Sequence, residues 1–336
     1  MFEKNTLLRA LRTMLRIPEA LPSYAQIEIT NVCNLTCPMC FKHFINVDEK
    51  HMDYDVFKNV IDRLKGVHSI VLCGYGEPLC HPKIFDAITY CKTKGFDVDL
   101  TSNGLLLNTN EKIERLISSG LDGITFSFES ISNINEIAHP NQKALDNVRS
   151  LLAAKQFRHR NRPAITLQTL MIKGRERDIV EIIEWGGVQG VDRINVARFE
   201  QLNTLLHVER LSIEEEQKIF KEFRHLRKKY KIRIDCLQDQ VYTGIKGFLY
   251  KHYKYFLGMD TECIRLRDFM YVNVDGDVRP CCALVECAID SLLEKDLFSI
   301  WHSEKYNNFR KHYHAVPWCS RCDFAKLRQI DAKAVS

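Results

Sequence analysis

Cysteine is the residue type in this sequence best placed to do chemistry. Cys33-Asn34-Leu35-Thr36-Cys37-Pro38-Met39-Cys40 carries three thiols with the spacing CxxxCxxC. Three thiolates on one tight loop can hold three irons of a cubane and leave the fourth open. A four-cysteine electron-transfer site leaves no iron open, and an open position is what inner-sphere chemistry requires. The competing reading is a zinc site or chance spacing, but a structural zinc wants a fourth ligand close by.

A second set lies near the end of the chain. Cys263 and Cys281 flank the turn Asp275-Gly276, with Cys281 in a Gly-x4-Cys arrangement, and Cys319-Ser320-Arg321-Cys322 adds a CxxC. Four thiolates saturate either a zinc ion or a cubane, and spacing alone leaves both open. Cys282 and Cys287 compete as ligands. Alternation along an extended backbone points Cys282 away from Cys281.

The chain has 13 cysteines, an odd number, so complete intramolecular disulfide pairing is impossible. Cys73, Cys80, Cys91 and Cys236 fall outside both sets. A free cysteine is commonly a small buried hydrophobe. Cys236 follows a β-like run at 231–235 and is the one candidate hydrogen donor among them, with a packed thiol as the alternative.

The 336 residues carry 48 Lys+Arg against 43 Asp+Glu, a net charge of +5, too small to argue for nucleic acid as a partner. No apolar run reaches the ~20 residues of a membrane span, and the N-terminus lacks a signal-peptide pattern, so a cytoplasmic location without stable membrane insertion is expected. Residues 7–17 put Leu7, Leu8, Leu11, Met14 and Leu15 on one helical face, which suits a docked helix or a membrane-surface one. The basic runs at 158–162 and 224–231 read as solvated helix surface.

The elements that must position these residues alternate. Strand patterns at 24–30, 69–73, 97–101, 123–127, 164–171 and 192–197 are separated by helical ones at 54–65, 83–94, 109–119, 142–157 and 177–187. Such a repeat implies parallel strands with helical crossovers, and ligands then gather at the strands' C-terminal ends. The three-cysteine loop, Gly74-Tyr75-Gly76-Glu77-Pro78, Thr101-Ser102-Asn103-Gly104 and Ser127 to Glu129 all fall at such ends. A charged helix at 213–229, a strand at 231–236 and a hairpin formed by 269–274 and 278–281 follow. The expected organisation is a helical extension over 1–22, a barrel plus linker over 23–257 and a second domain over 258–336.

These motifs together resemble the radical S-adenosylmethionine (SAM) superfamily, and the resemblance covers roughly residues 23–323. It implies a partial (β/α)6 TIM-like barrel followed by a small α+β auxiliary iron–sulfur domain of the SPASM type, here closer to its shortened Twitch form. It further implies two [4Fe–4S] clusters, held by Cys33, Cys37 and Cys40 and by Cys263, Cys281, Cys319 and Cys322, with SAM as cofactor. Gly74, Gly76 and Glu77 resemble the family's glycine-rich motif, from which Tyr75 departs, and Glu77 would accept from the cofactor's ammonium. Ser102, Asn103 and Ser127 match polar positions suited to its ribose or carboxylate, and Met39 stands where an aromatic residue is common and would pack on adenine. Lys173, Arg175 and Arg198 lie near later strand ends, within possible reach of the carboxylate.

The four-cysteine spacing is most similar to 2-deoxy-scyllo-inosamine dehydrogenases. That implies two-electron oxidation of a carbohydrate-like small molecule, with epimerisation through Cys236 or peptide maturation as alternatives. About 22 residues precede the first strand, which sets a small molecule ahead of a peptide as expected substrate. Reduced flavodoxin or ferredoxin is the implied electron donor. The reading of another class is an electron-transfer or cluster-scaffold protein.

Overall fold

Most barrel strands alternate an apolar residue with a polar one, Ser69–Leu72 with its run Ile70-Val71-Leu72 being the exception, and the structure uses both faces. Ala25, Ile27, Ile70, Leu72, Val98, Leu100, Ile124, Phe126, Ile165, Leu167, Ile194 and Val196 are buried in one continuous core with the helices. Gln26, Thr101, Thr125, Ser127, Gln168 and Asn195 occupy the opposite, half-buried face. The computed structural model describes residues 21–131, 142–199, 209–236, 239, 263 and 265–322. The helix expected at 7–17 lies outside them.

In chain order the elements are β1 (Tyr24–Ile27), α1 (Tyr54–Arg63), β2 (Ser69–Leu72), α2 (Ile84–Thr93), β3 (Asp97–Ser102), α3 (Asn110–Ser118), β4 (Gly123–Ser127) and α4 (Gln142–Phe157). They continue with β5 (Ala164–Met171), α5 (Glu176–Gln189), β6 (Arg193–Arg198), α6 (Ile213–Tyr230) and β7 (Arg233–Asp235). Helix starts follow local chemistry. Asp53 accepts from Asp55 N and Val56 N ahead of α1, and Ser212 with Glu215 forms a reciprocal capping box on α6. Strands β1 to β7 pair in parallel, each with the next, as the crossover pattern requires.

The C-terminal segment holds α7 (Arg265–Asp268), β8 (Phe269–Val272), β9 (Asp277–Arg279), β10 (Asp290–Ser291), α8 (Leu297–Trp301), α9 (Glu304–His312) and α10 (Pro317–Arg321). Strand β8 pairs in parallel with β1, Tyr24 facing Phe269 and Ile27 facing Val272, while β9 and β10 add antiparallel. The result is a single ten-stranded sheet in the order β10-β9-β8-β1-β2-β3-β4-β5-β6-β7. The C-terminal hairpin thus continues the barrel sheet through β1.

Candidate active site

Strand β1 ends at Ile27, and the next residues form the neck of the cysteine loop. Met52 N donates to Ile29 O at 2.9 Å, and Val32 N to Thr30 Oγ1 at 3.0 Å. Asn31 clamps the far side, its Nδ2 donating to Asp48 O at 2.8 Å and its Oδ1 accepting from Lys50 N at 2.6 Å. Within the loop Cys40 N donates to Cys37 O at 2.9 Å. Cys33, Cys37 and Cys40 are half-buried. Burial pushes the Cys33 thiol up to about 11, with Glu77, Cys40 and Cys80 as negative neighbours.

The turn after β2 is drawn against that neck. Glu77 N donates to Val32 O at 2.9 Å. A Cβ on Gly76 would stand 2.4 Å from Val32 O and 2.7 Å from Thr30 O, and one on Gly74 would stand 2.4 Å from the Glu28 side chain. Only glycine permits this approach of backbone to backbone. These glycines seat the turn on the exit of β1.

Glu77 is 3% exposed, and its carboxylate takes three donors: Leu79 N at 3.0 Å and Ser102 Oγ at 2.8 Å on Oε1, Asn103 N at 2.7 Å on Oε2. Desolvation raises its pKa, and the three donors work against that rise. A hydrogen bond to a charged group contributes roughly 1.5–3 kcal/mol, so three offset a burial that otherwise costs several kcal/mol. Glu77 therefore ties the ends of β2 and β3 together. A carboxylate offers about four acceptor sites, which leaves Oε2 room for one more donor. Asn103 also donates from Nδ2 to Asn34 Oδ1 at 2.9 Å, reaching into the cysteine loop itself.

Two further features line the strand ends. Met39 packs with Leu170 against Ile172 and Phe199, so the cysteine loop touches the end of β5. Register aligns Ser127 with Gln168, Gln168 with Asn195 and Asn195 with Asp235, a polar row across four strands in which Asn195 Nδ2 donates to Gln168 Oε1 at 2.9 Å. Sequence reading singled out Ser127 and missed Gln168 and Asn195, although both are polar residues on the face opposite the apolar one.

Other expected residues lie elsewhere or are otherwise engaged. Cys236 is fully buried in the main core, because Asp235 before it takes the face shared with Asn195. It does not open onto the site. Lys173 pairs with Glu209 at 2.8 Å, Arg175 with Asp178, and Arg198 with Glu216 through two contacts, so all three carry counter-ions from the protein.

In the C-terminal segment Cys319 has Cys263, Cys281, Cys322 and Cys287 as negative neighbours, and burial pushes its thiol up to about 12. Arg265 Nη1 lies 3.4 Å from Cys281 Sγ and 3.7 Å from Cys282 Sγ. The Cys282 thiol donating to it, followed by the Arg265 charge, holds the Cys281 thiol low. Cys282, expected to point away from Cys281, does not: these residues precede a turn rather than continuing the strand, and the two thiols face each other beside Arg265. Among the described residues no three His, Cys, Asp or Glu side chains draw together as tightly as a single metal ion requires. A cubane distributes its sulfurs over separate irons, and an all-thiol donor set of this kind fits it.

Residues 27–186 match the Radical SAM superfamily, and residues 263–323 match the SPASM iron–sulfur cluster-binding domain. The chain carries both domains. They imply [4Fe–4S] clusters and SAM as cofactors. The chain is 26% identical over 349 aligned positions to the tungsten-containing aldehyde ferredoxin oxidoreductase cofactor-modifying protein of Pyrococcus furiosus, covering 92% of this chain and 91% of that one. It is 23% identical to the PqqA peptide cyclase of Bradyrhizobium diazoefficiens, over 93% of this chain and 80% of that one. Streptococcus suis SuiB bound to its precursor peptide SuiA shares the fold at a TM-score of 0.71 and 16% identity, covering 96% of this chain and 75% of that one. The specific resemblance to 2-deoxy-scyllo-inosamine dehydrogenase is only distant. No helix among the described residues is long and apolar enough to cross a membrane.

Proposed function

We propose that Cys33, Cys37 and Cys40 hold a [4Fe–4S] cluster with one open iron, that Cys263, Cys281, Cys319 and Cys322 hold a second, and that the chain oxidises a polar, carbohydrate-like small molecule. With SAM bound, the reduced first cluster would supply a 5′-deoxyadenosyl radical that takes one hydrogen atom from a substrate carbon, and the second, fully ligated cluster would accept the remaining electron as the adjoining hydroxyl loses its proton. The observation that carries the reading is the convergence of Glu77, Ser102 and Asn103 beside the cysteine loop. Glu77 Oε2 accepts from the cofactor's ammonium; Asn103 N holds that oxygen, and the Gly74-Gly76 turn holds the Glu77 backbone against Val32. Reduced flavodoxin or ferredoxin is the proposed electron donor.

The polar row of Ser127, Gln168 and Asn195 supports a hydroxyl-rich substrate, because amides and hydroxyls both donate and accept. The Pyrococcus relative, whose name describes cofactor modification, is compatible with that. The second reading is peptide maturation, favoured by the likeness to a peptide cyclase over most of the chain.

The test is anaerobic reconstitution followed by dithionite and SAM. The wild-type chain is expected to release 5′-deoxyadenosine and methionine. Glu77→Gln should keep its iron and bind SAM at least about tenfold more weakly, since it loses a charge-assisted hydrogen bond. An iron-loaded wild-type chain that leaves SAM intact is an electron carrier or scaffold, and the proposal is then wrong.

A further inference from the structure

The turn that carries Glu77 has a second side. Tyr75 N donates to Glu28 Oε1 at 2.8 Å, and Glu28 N donates to Val272 O of β8 at 2.8 Å, which links the turn to the C-terminal segment through one buried carboxylate residue. The Tyr75 ring lies 6.3 Å from that of fully buried Tyr271 on β8. Its hydroxyl donates to the carbonyl oxygen of Cys282, the residue next to Cys281. Phe41, which follows Cys40, stands 5.9 Å from Tyr75 and edge-on at 5.6 Å to Trp318, which precedes Cys319.

Ring pairs at these separations attract one another beyond their burial. The opposite side of the same turn is seated on residues 30–32 with no space for a Cβ. A displacement there has no slack to absorb it, and close-packed interiors transmit strain. Hydrogen bonds near a cluster tune its potential, and the Tyr75 hydroxyl bond polarises the Cys282–Ala283 peptide, whose N–H donates to the Cys281 sulfur.

We infer that Tyr75 is a positioning residue that couples cofactor binding at the Glu77 turn to the electronic state of the second cysteine set, with Phe41 and Trp318 closing the same contact from the cysteine loop. The inference rests on the cluster assignment proposed above. Coupling is reciprocal: if SAM changes the second centre's affinity for an electron, the redox state of that centre changes SAM affinity by the same factor.

The experiment is a reductive titration of the full-length, iron-loaded chain with dithionite, followed by electron paramagnetic resonance with and without SAM. In the wild type, SAM should shift the midpoint of the second centre by about 59 mV, equivalent to a tenfold change in relative affinity for a one-electron couple. Tyr75→Phe keeps the ring and loses the hydroxyl. Its shift should fall below a third of that value, with iron content unchanged and the SAM affinity of the oxidised chain within about twofold of wild type. Phe41→Leu, which leaves the turn intact, should reduce the shift in the same direction. A merely structural role would lower iron content without separating the shift from it. A wild-type midpoint indifferent to SAM, or a full shift in both variants, overturns the inference while leaving the cluster assignment standing. Failure of the iron-loaded wild type to bind SAM by calorimetry overturns both.

Discussion

Carboxylates at the strand ends divide the work, Glu77 buried and Glu129 half-buried. Glu77 is held by three donors, whereas Glu129, two residues beyond β4, has one that the structure resolves, Leu170 N at 3.1 Å on Oε2. Desolvation raises the Glu129 pKa from 4.5 to about 7, with Arg175 opposing and Asp178 adding to the rise. An acid whose folded pKa lies above its unfolded one binds its proton more tightly in the folded state. Its stabilising contribution is full below about pH 4.5 and is lost as pH rises through about 7. Glu129→Gln keeps the acceptor for Leu170 N and cannot ionise. Unfolding midpoints in urea should therefore show the variant gaining on wild type between about pH 5 and about pH 8, and a constant difference across that window would refute the assignment. The position of Glu129 at a strand end was legible in the sequence. Its protonation behaviour was not, because desolvation is opposed by a hydrogen bond from Leu170 and a charge on Arg175, both more than 40 positions away.

At the scale of elements, the cysteine loop is a unit clamped at its neck and cross-linked by the Asn103 to Asn34 hydrogen bond. Two cubanes hold about eight irons, so replacing Cys33, Cys37 and Cys40 together by Ala should leave about half of the iron that reconstituted wild type carries. A triple variant that keeps all its iron would remove the loop as a cluster site. The strands and helices themselves were readable from alternation and caps, since both signals are local: the helix over 142–157 and the strands at 123–127 and 164–171 fall where periodicity places them. Strand β1 is shorter than its β-rich run, which stops at Ile27 because Thr30 turns to bridge His51. Gln168 and Asn195 escaped notice for a different reason. Alternation separates two faces but does not say which residues of distant strands share a row, and their alignment arises from registers set across 27 positions of sequence.

The largest surprise belongs to the whole molecule. The change of pattern after the barrel reads as a second domain from about 258, and residues 263–323 have their own family match, while β8 sits beside β1 in the interior of the sheet and Ser23 N donates to Asp268 Oδ1 at 2.9 Å across 245 residues. No local signal reports such a pairing, because it is made between segments at opposite ends of the chain. Met270 and Val272 from β8 share the core with Ala25 and Ile27 from β1. Removing the C-terminal segment would therefore strip β1 of a neighbour on one side and expose a row of unpaired backbone groups, the condition that promotes edge-to-edge aggregation. It would also uncover apolar side chains, each worth roughly 1.5–3 kcal/mol when fully buried, against a total stability of only about 5–15 kcal/mol. A chain ending at residue 257 is accordingly expected to be aggregated or to lack a cooperative melting transition by circular dichroism. The full-length chain should unfold in one transition in which barrel and C-terminal probes coincide. A soluble truncated barrel that melts cooperatively near the full-length temperature would show instead that the shared sheet contributes little, and that the two segments are energetically separate.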